Sequence, residues 1–138
     1  MTKYSFDENE GFKKGREVWF EMRGPKVAQA AMDQAAEHEM TRDLRQYLFE
    51  HCFAAVWARP GLERSMRSVI TISVLTALGR SEELKSHIRM GINNGLTREE
   101  LKEIFLHVGI YAGVPTAVAA VRAAMEEFAA LDTAKGQG

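Results

Sequence analysis

Residues 67–115 read RSVITISVLTALGRSEELKSHIRMGINNGLTREELKEIFLHVGIYAGVP, and the fold of the chain turns on how this stretch is read. Its first part, Val69 to Leu75, is β-branched and compatible with a buried strand. Helix is the consistent reading. Helical patterns lie on both sides, no second strand candidate exists to pair with it, and a lone strand would leave its backbone donors and acceptors unsatisfied. Gly79 is the natural stop. Ser81 then reads as an N-cap, with Glu82 and Glu83 in a first turn where the helix dipole favours negative charge. Asn94-Gly95 closes that helix. Thr97 and Glu100 form a T-x-x-E capping box, followed by Leu101, Ile104, Phe105 and Val108 at i, i+3, i+4 and i+7. The resulting helix carries His107 and Tyr111 and ends at Gly113.

Outward from this centre the pattern stays helical. Phe12, Val18, Trp19 and Met22 mark a first helix over Glu10 to Met22, ended near Gly24-Pro25, with Trp19 as packing. A second spans Lys26 to Glu37, and a third, Thr41 to Trp57, carries two adjacent apolar stripes. Pro60-Gly61 turns the chain into the central stretch. Pro115 opens a last helix through about Leu131, beyond which the tail DTAKGQG is expected to fray. The polar residues 1–8 are expected to be ordered only where something holds them. The expectation is a single all-α domain over residues 1–138, with six or seven helices. Its apolar helix surface exceeds what one short bundle covers, which points to a homo-oligomer.

Composition narrows the function classes. An apolar fraction of 46%, a charged fraction of 27% and a formal net charge of −1 describe an ordinary globular chain without a basic face for nucleic acid. The longest apolar run, Val69 to Leu78, is too short to span a membrane, and MTKYSFDENE has no apolar signal core. Cys52 is the only cysteine, which excludes an internal disulfide and fits a reducing cytoplasm; inside an apolar helix it reads as a small packed residue. No metal-ligand spacing and no glycine-rich phosphate loop is present, so no metal or cofactor is implied.

The residues that can carry chemistry lie in the central stretch. Glu83 and His87 are four apart on one helix and share a face. A carboxylate beside an imidazole orients the ring and favours its protonated form, which prepares a proton donor or acceptor; the same spacing also gives a plain exposed ion pair. His107 and Tyr111 are a second i,i+4 pair at the border of an apolar stripe. Arg67 begins the buried central helix and needs an anion, either Glu63 or a bound carboxylate.

Five segments together resemble the carboxymuconolactone decarboxylase family: Ala77-Leu78-Gly79-Arg80, Glu83-Leu84 with His87, Asn93-Asn94-Gly95-Leu96-Thr97, Glu99-Glu100, and Tyr111-Ala112-Gly113-Val114-Pro115. Val56 to Leu62 extends the likeness upstream. The resemblance implies the all-helical alkylhydroperoxidase-like fold, built around a helical hairpin and assembled into homo-oligomers such as trimers or hexamers. The peroxidase-related branch carries a Cys-x-x-Cys-x-x-x-His motif and an earlier glutamate. Here His87 matches the histidine, Arg80 and Glu83 stand at the cysteines, and Ser68 stands at the glutamate, so thiol chemistry does not transfer.

What the resemblance then implies is the decarboxylase branch, a carboxy-lyase acting without a cofactor on 4-carboxymuconolactone, a small anionic lactone of protocatechuate breakdown. His87 would donate the proton, with Glu83 orienting it. Arg67 would hold a substrate carboxylate, and His107 or Tyr111 would bond the lactone oxygen. The chain departs from the branch at Ala54-Ala55, where Gly-Glu is usual, at Ser65-Met66, where Lys-Thr or Arg-Thr is usual, and at His51-Cys52. Two other readings stand beside it: isomerisation, dehydration or proton transfer on another small cyclic acid, and a non-catalytic oligomeric binding protein.

Overall fold

The computed structural model describes residues 3–137, and among them every regular element is helical. The chain gathers into two compact units, Met1–Glu63 and Arg64–Gly138.

The first unit holds α1 (Glu10–Arg23), α2 (Pro25–Ala35), α3 (Glu39–Leu48) and a π-helical segment, Phe49–Trp57, that continues α3 without a break. The expected helix over residues 41–57 is thus an α-helix that widens halfway, and a π-type bond from the Ala58 N–H to the Phe53 carbonyl, 3.0 Å, closes the wide segment. α1 lies against the π segment through an aromatic core: Phe12, Trp19 and Phe49 are buried, and the Phe49 ring sits 5.3 Å from both of the others. Each such ring contributes about 1.5–3 kcal/mol by leaving water. The two backbones touch at Gly15, whose place an alanine could not take: an added Cβ would lie 2.5 Å from the Phe49 carbonyl carbon and 2.7 Å from its Cα.

Residues 3–9 have no regular structure but are held to the same unit. The Tyr4 N–H bonds the Ala36 carbonyl at 2.8 Å, Arg42 donates to the Ser5 carbonyl at 2.7 Å, and Phe6 stacks on Phe12. Asn9 caps α1 by accepting the Phe12 N–H at 2.8 Å, and its amide in turn donates to Glu50 at 2.8 Å.

The second unit holds α4 (Arg64–Leu78), α5 (Ser81–Asn93), α6 (Arg98–Ala112) and α7 (Val114–Gln137). The β-branched stretch is helical, as expected. Its hydroxyls are absorbed by the helix itself, Thr71 donating to the Arg67 carbonyl at 2.9 Å and Ser73 to the Val69 carbonyl at 2.7 Å. The core is Ile72 of α4, Leu84 and Ile88 of α5, Leu101 and Phe105 of α6, and Ala120, Ala123 and Ala124 of α7, whose small side chains let the last helix approach closely.

Two turns are built alike. Gly79 and Gly95 take positive φ, and the residue after each sends its N–H back five positions, Arg80 to Leu75 and Leu96 to Gly91, both at 2.9 Å. This corrects the expected cap at Ser81. The turn after α4 uses up Gly79 and Arg80, so Arg80 is the N-cap, without a side-chain bond, and Ser81 is already the first helical residue. The Thr97–Glu100 capping box is present in both directions, at 3.0 Å each way. α7 runs past the expected stop at Leu131, because Arg98 grips Asp132 with two bonds while its guanidinium lies 4.4 Å over the Phe128 ring. Lys85 pairs with Glu126 at 2.7 Å, and Arg89 with Glu127.

Part of the surface of this unit is apolar. Met66, Ile70, Val74 and Leu78 recur every four residues along α4 and are exposed, as are Ile110, Tyr111, Val114, Val118 and Met125. Among the described residues, no helix is long and apolar enough to cross a membrane.

Candidate functional site

The five residues singled out from sequence all lie in the second unit, on three of its helices. Arg67 is in the first turns of α4, Glu83 and His87 are on α5, and His107 and Tyr111 are on α6. The positions of α4 and α5 are fixed by two small features. Gly91 of α5 faces α4 so closely that a Cβ there would meet Ile72 Cδ1 at 3.0 Å and Leu96 Cδ1 at 3.2 Å. Beside it, the Asn94 amide donates to the hydroxyl of Ser68, which is fully buried, at 2.9 Å. This bond pins the turn that carries Arg67 to the C-terminal end of the helix that carries His87.

Arg67 and His87 are both half-buried, with Arg67 Nε and His87 Nδ1 shielded from water. A guanidinium is a planar fork of donors that matches a carboxylate, and an imidazole can give or take a proton near neutral pH. Glu83 is exposed, and its carboxylate makes no hydrogen bond and no ion pair among the described residues. The helix thus brings Glu83 and His87 onto one face, while the contact between carboxylate and imidazole is not made.

His107 and Tyr111 stack, with ring centroids 5.2 Å apart and planes 28° from parallel, on the exposed side of α6. They line a shallow groove of about 480 Å³ with Ser73, Val74 and Ala77 of α4. The Ser73 hydroxyl is spent on its own helix, which leaves imidazole and phenol as the polar groups of an otherwise apolar wall. Arg67, Glu83 and His87 do not line this groove. The sequence-derived set therefore falls into two parts: Arg67, Glu83 and His87 on α4 and α5, and an exposed ring pair on α6 that lines a groove against α4.

Sequence reasoning missed Thr76. It is 1% exposed on α4, and its hydroxyl has no hydrogen-bond partner among the described residues. A threonine among apolar neighbours carries no sequence signal for this. Nor does any spacing pair Ser68 with Asn94, 26 positions on. Cys52, on the π segment, is half-buried, and burial pushes its thiol up against the opposing effect of a Trp57 hydrogen bond, so it rests protonated.

Residues 42–126 match the Carboxymuconolactone decarboxylase family. Over 122 residues the chain is 39% identical to 4-carboxymuconolactone decarboxylase of Acinetobacter baylyi, covering 88% of this chain and 90% of that protein. It is 33% identical over 110 residues to nitrosuccinic acid decarboxylase of Metarhizium robertsii, covering 80% of this chain and 76% of that one. An uncharacterised 15.0 kDa protein of Paracoccus denitrificans is 24% identical over 102 residues, 72% of this chain.

Proposed function

The chain belongs to the carboxymuconolactone decarboxylase family, and from that premise we propose that it decarboxylates 4-carboxymuconolactone or a closely related carboxylated butenolide, without a cofactor. The observation that carries this reading is the 39% identity to a 4-carboxymuconolactone decarboxylase across nine-tenths of that protein's length.

The chemistry asks little of the protein. As the carbon–carbon bond to the leaving carboxylate breaks, its electron pair moves through the ring into the lactone carbonyl, giving a furanolate-like dienolate and CO2. The substrate is its own electron sink. The protein has to bind two carboxylates, stabilise the developing oxyanion and return one proton to the ring carbon α to the carbonyl. In this reading the guanidinium of Arg67 holds a substrate carboxylate and His87 delivers the proton. His107 and Tyr111 offer donors for the lactone oxygen, and Glu83 closes on His87 when substrate is bound, since catalytic contacts are often long before the complex forms.

A second reading is favoured by the nitrosuccinic acid decarboxylase relative. A nitro group beside a carboxylate also accepts the electrons of the breaking bond, as a nitronate. Both substrates are small polyanions carrying an internal acceptor, so one cationic site with a proton donor serves either. The exposed apolar stripes of α4, α6 and α7 support assembly with further copies of the chain.

The test is CO2 release by the purified protein with 4-carboxymuconolactone and, separately, 2-nitrosuccinate. His87→Ala should lower kcat by about 100- to 10,000-fold, the range for a positioned general acid, with a much smaller change in KM. Arg67→Ala should raise KM, because a charge-assisted contact is present before and during the reaction. Turnover of neither substrate would refute the reading, and undiminished turnover by His87→Ala would remove the mechanism.

A further inference from the structure

Four of the arginines on the surface of the molecule face a carboxylate: Arg16 meets Glu8, Arg42 meets Asp43, Arg89 meets Glu127 and Arg98 meets Asp132. Arg45 of α3 does not. Its guanidinium lies 4.5 Å over the Trp19 ring and 5.8 Å from the Phe49 ring. Among the described residues its side chain makes no hydrogen bond and no ion pair. The charge that acts on it is of its own sign: burial and then the Arg23 guanidinium both pull its pKa below the ordinary arginine value. A cation held over aromatic faces gains from the rings, but ring stacking uses the face of the guanidinium and leaves the N–H groups along its edge unused.

Arg45 also lines a cavity. A groove of about 170 Å³ runs between α2 and α3, lined by Ala31, Gln34 and Ala35 on one side and Thr41, Leu44, Arg45 and Leu48 on the other. The Thr41 hydroxyl is committed to the Ala35 carbonyl at 2.7 Å and the His38 carbonyl at 3.0 Å, which holds the turn between the helices. Gln34 is exposed, and its amide makes no bond among the described residues. The lining of the groove therefore combines a guanidinium and an amide with alanine and leucine side chains, and it contains no acidic side chain.

We propose that the groove between α2 and α3 is a binding site for a small organic carboxylate, gripped at its charged end by Arg45 and Gln34 and seated by its apolar body on Ala31, Ala35, Leu44 and Leu48. The carboxylate matches the planar fork. The space holds a handful of water-sized volumes, enough for a compact ring and too little for a nucleotide. Inorganic phosphate leaves the apolar floor unused and finds too few donors for its charge. None of the residues assigned to decarboxylation lines the groove, so the proposal stands apart from that reading.

The experiment is an NMR titration of the full chain with sodium benzoate, following the Trp19 indole N–H and the Arg45 Nε–H. Inorganic phosphate and sodium chloride are run at matched ionic strength. Saturable shifts of both groups are expected, with half-saturation on the order of 1 mM, as the size of the ligand allows. Arg45→Gln should weaken binding at least about tenfold. Ala31→Leu, which fills the groove and keeps the charge, should do the same and decides the matter if Arg45→Gln does not fold. Arg67→Ala should bind benzoate as the parent does at these two reporters. Absence of saturable shifts would overturn the proposal, as would equal shifts with phosphate or undiminished binding in Ala31→Leu.

Discussion

Replacing Gly15 by alanine places a methyl group inside the backbone of the π segment, 2.5 Å from the Phe49 carbonyl carbon and 2.7 Å from its Cα. These are not atoms that a rotamer change can move. α1 has to shift away as a body, and with it the buried Phe12, Val18, Trp19 and Met22. Such side chains contribute about 1.5–3 kcal/mol each, so opening their contacts by even a quarter costs about 2 kcal/mol, and overpacking strain adds about 1 kcal/mol or more. Against this, alanine in place of glycine in a helix interior gains up to about 1 kcal/mol. The net expectation is a loss of about 2–3 kcal/mol. Gly11 supplies the control one turn earlier on the same helix. There a Cβ meets the Asn9 side chain at 3.5 Å, Glu50 Cγ at 3.7 Å and Glu50 Cα at 3.9 Å, all ordinary contacts. Gly11→Ala should keep the propensity gain and stabilise by about 0.5–1 kcal/mol. Urea unfolding of both variants and the parent at one protein concentration, so that any assembly enters equally, measures the difference. Gly15→Ala as stable as Gly11→Ala would refute the packing of α1 on the π segment.

Thr76→Val keeps the shape of a buried side chain and removes a hydroxyl that has no partner among the described residues; it should stabilise by about 1 kcal/mol, and a loss of that size in thermal unfolding would mean that the hydroxyl is satisfied. Glu50 accepts hydrogen bonds from Gln46 and Asn9, which hold its carboxyl below the ordinary value. Its contribution is therefore complete above the unfolded carboxyl pKa of about 4.3 and is lost as pH falls through the lower folded value; the acid-unfolding curve of Glu50→Gln should lose that segment of its pH dependence. Light scattering should find a homo-oligomer of the parent, and Ile70→Glu, which charges the exposed α4 stripe, should shift it toward monomer; a monomeric parent at micromolar concentration would remove the assembly.

The helices were legible because their signals are local. Thr97 with Glu100, Gly79 and Gly113 sit within a few residues of the ends they define, and the structure uses each of them there. The widening at Phe49 was not legible: the buried Phe49, Phe53 and Trp57 are spaced by fours, which suits an α-helix and a π-helix alike. The true end of α7 was hidden for a different reason. What holds it are ion pairs reaching to α5 and α6, between residues 34 to 41 positions apart in the chain. For the site, spacing put Glu83 with His87 and His107 with Tyr111 on shared faces, and resemblance selected His87. Neither could foresee that Glu83 stays in solvent, or that the ring pair lines a groove to which Arg67 and His87 do not contribute.

α7 is fastened in two ways along its length. Its first half is seated by Ala120, Ala123 and Ala124 in the core, contacts that are indifferent to dissolved ions. Beyond Phe128, which still packs on the core, the fastening passes to Arg98–Asp132, exposed charges whose attraction fades once the screening length falls to a few ångströms. Raising the ionic strength should thus free amide exchange in the last turns of α7 and leave the turns around Ala120 protected, so that the effective length of this one helix follows the salt concentration of its surroundings.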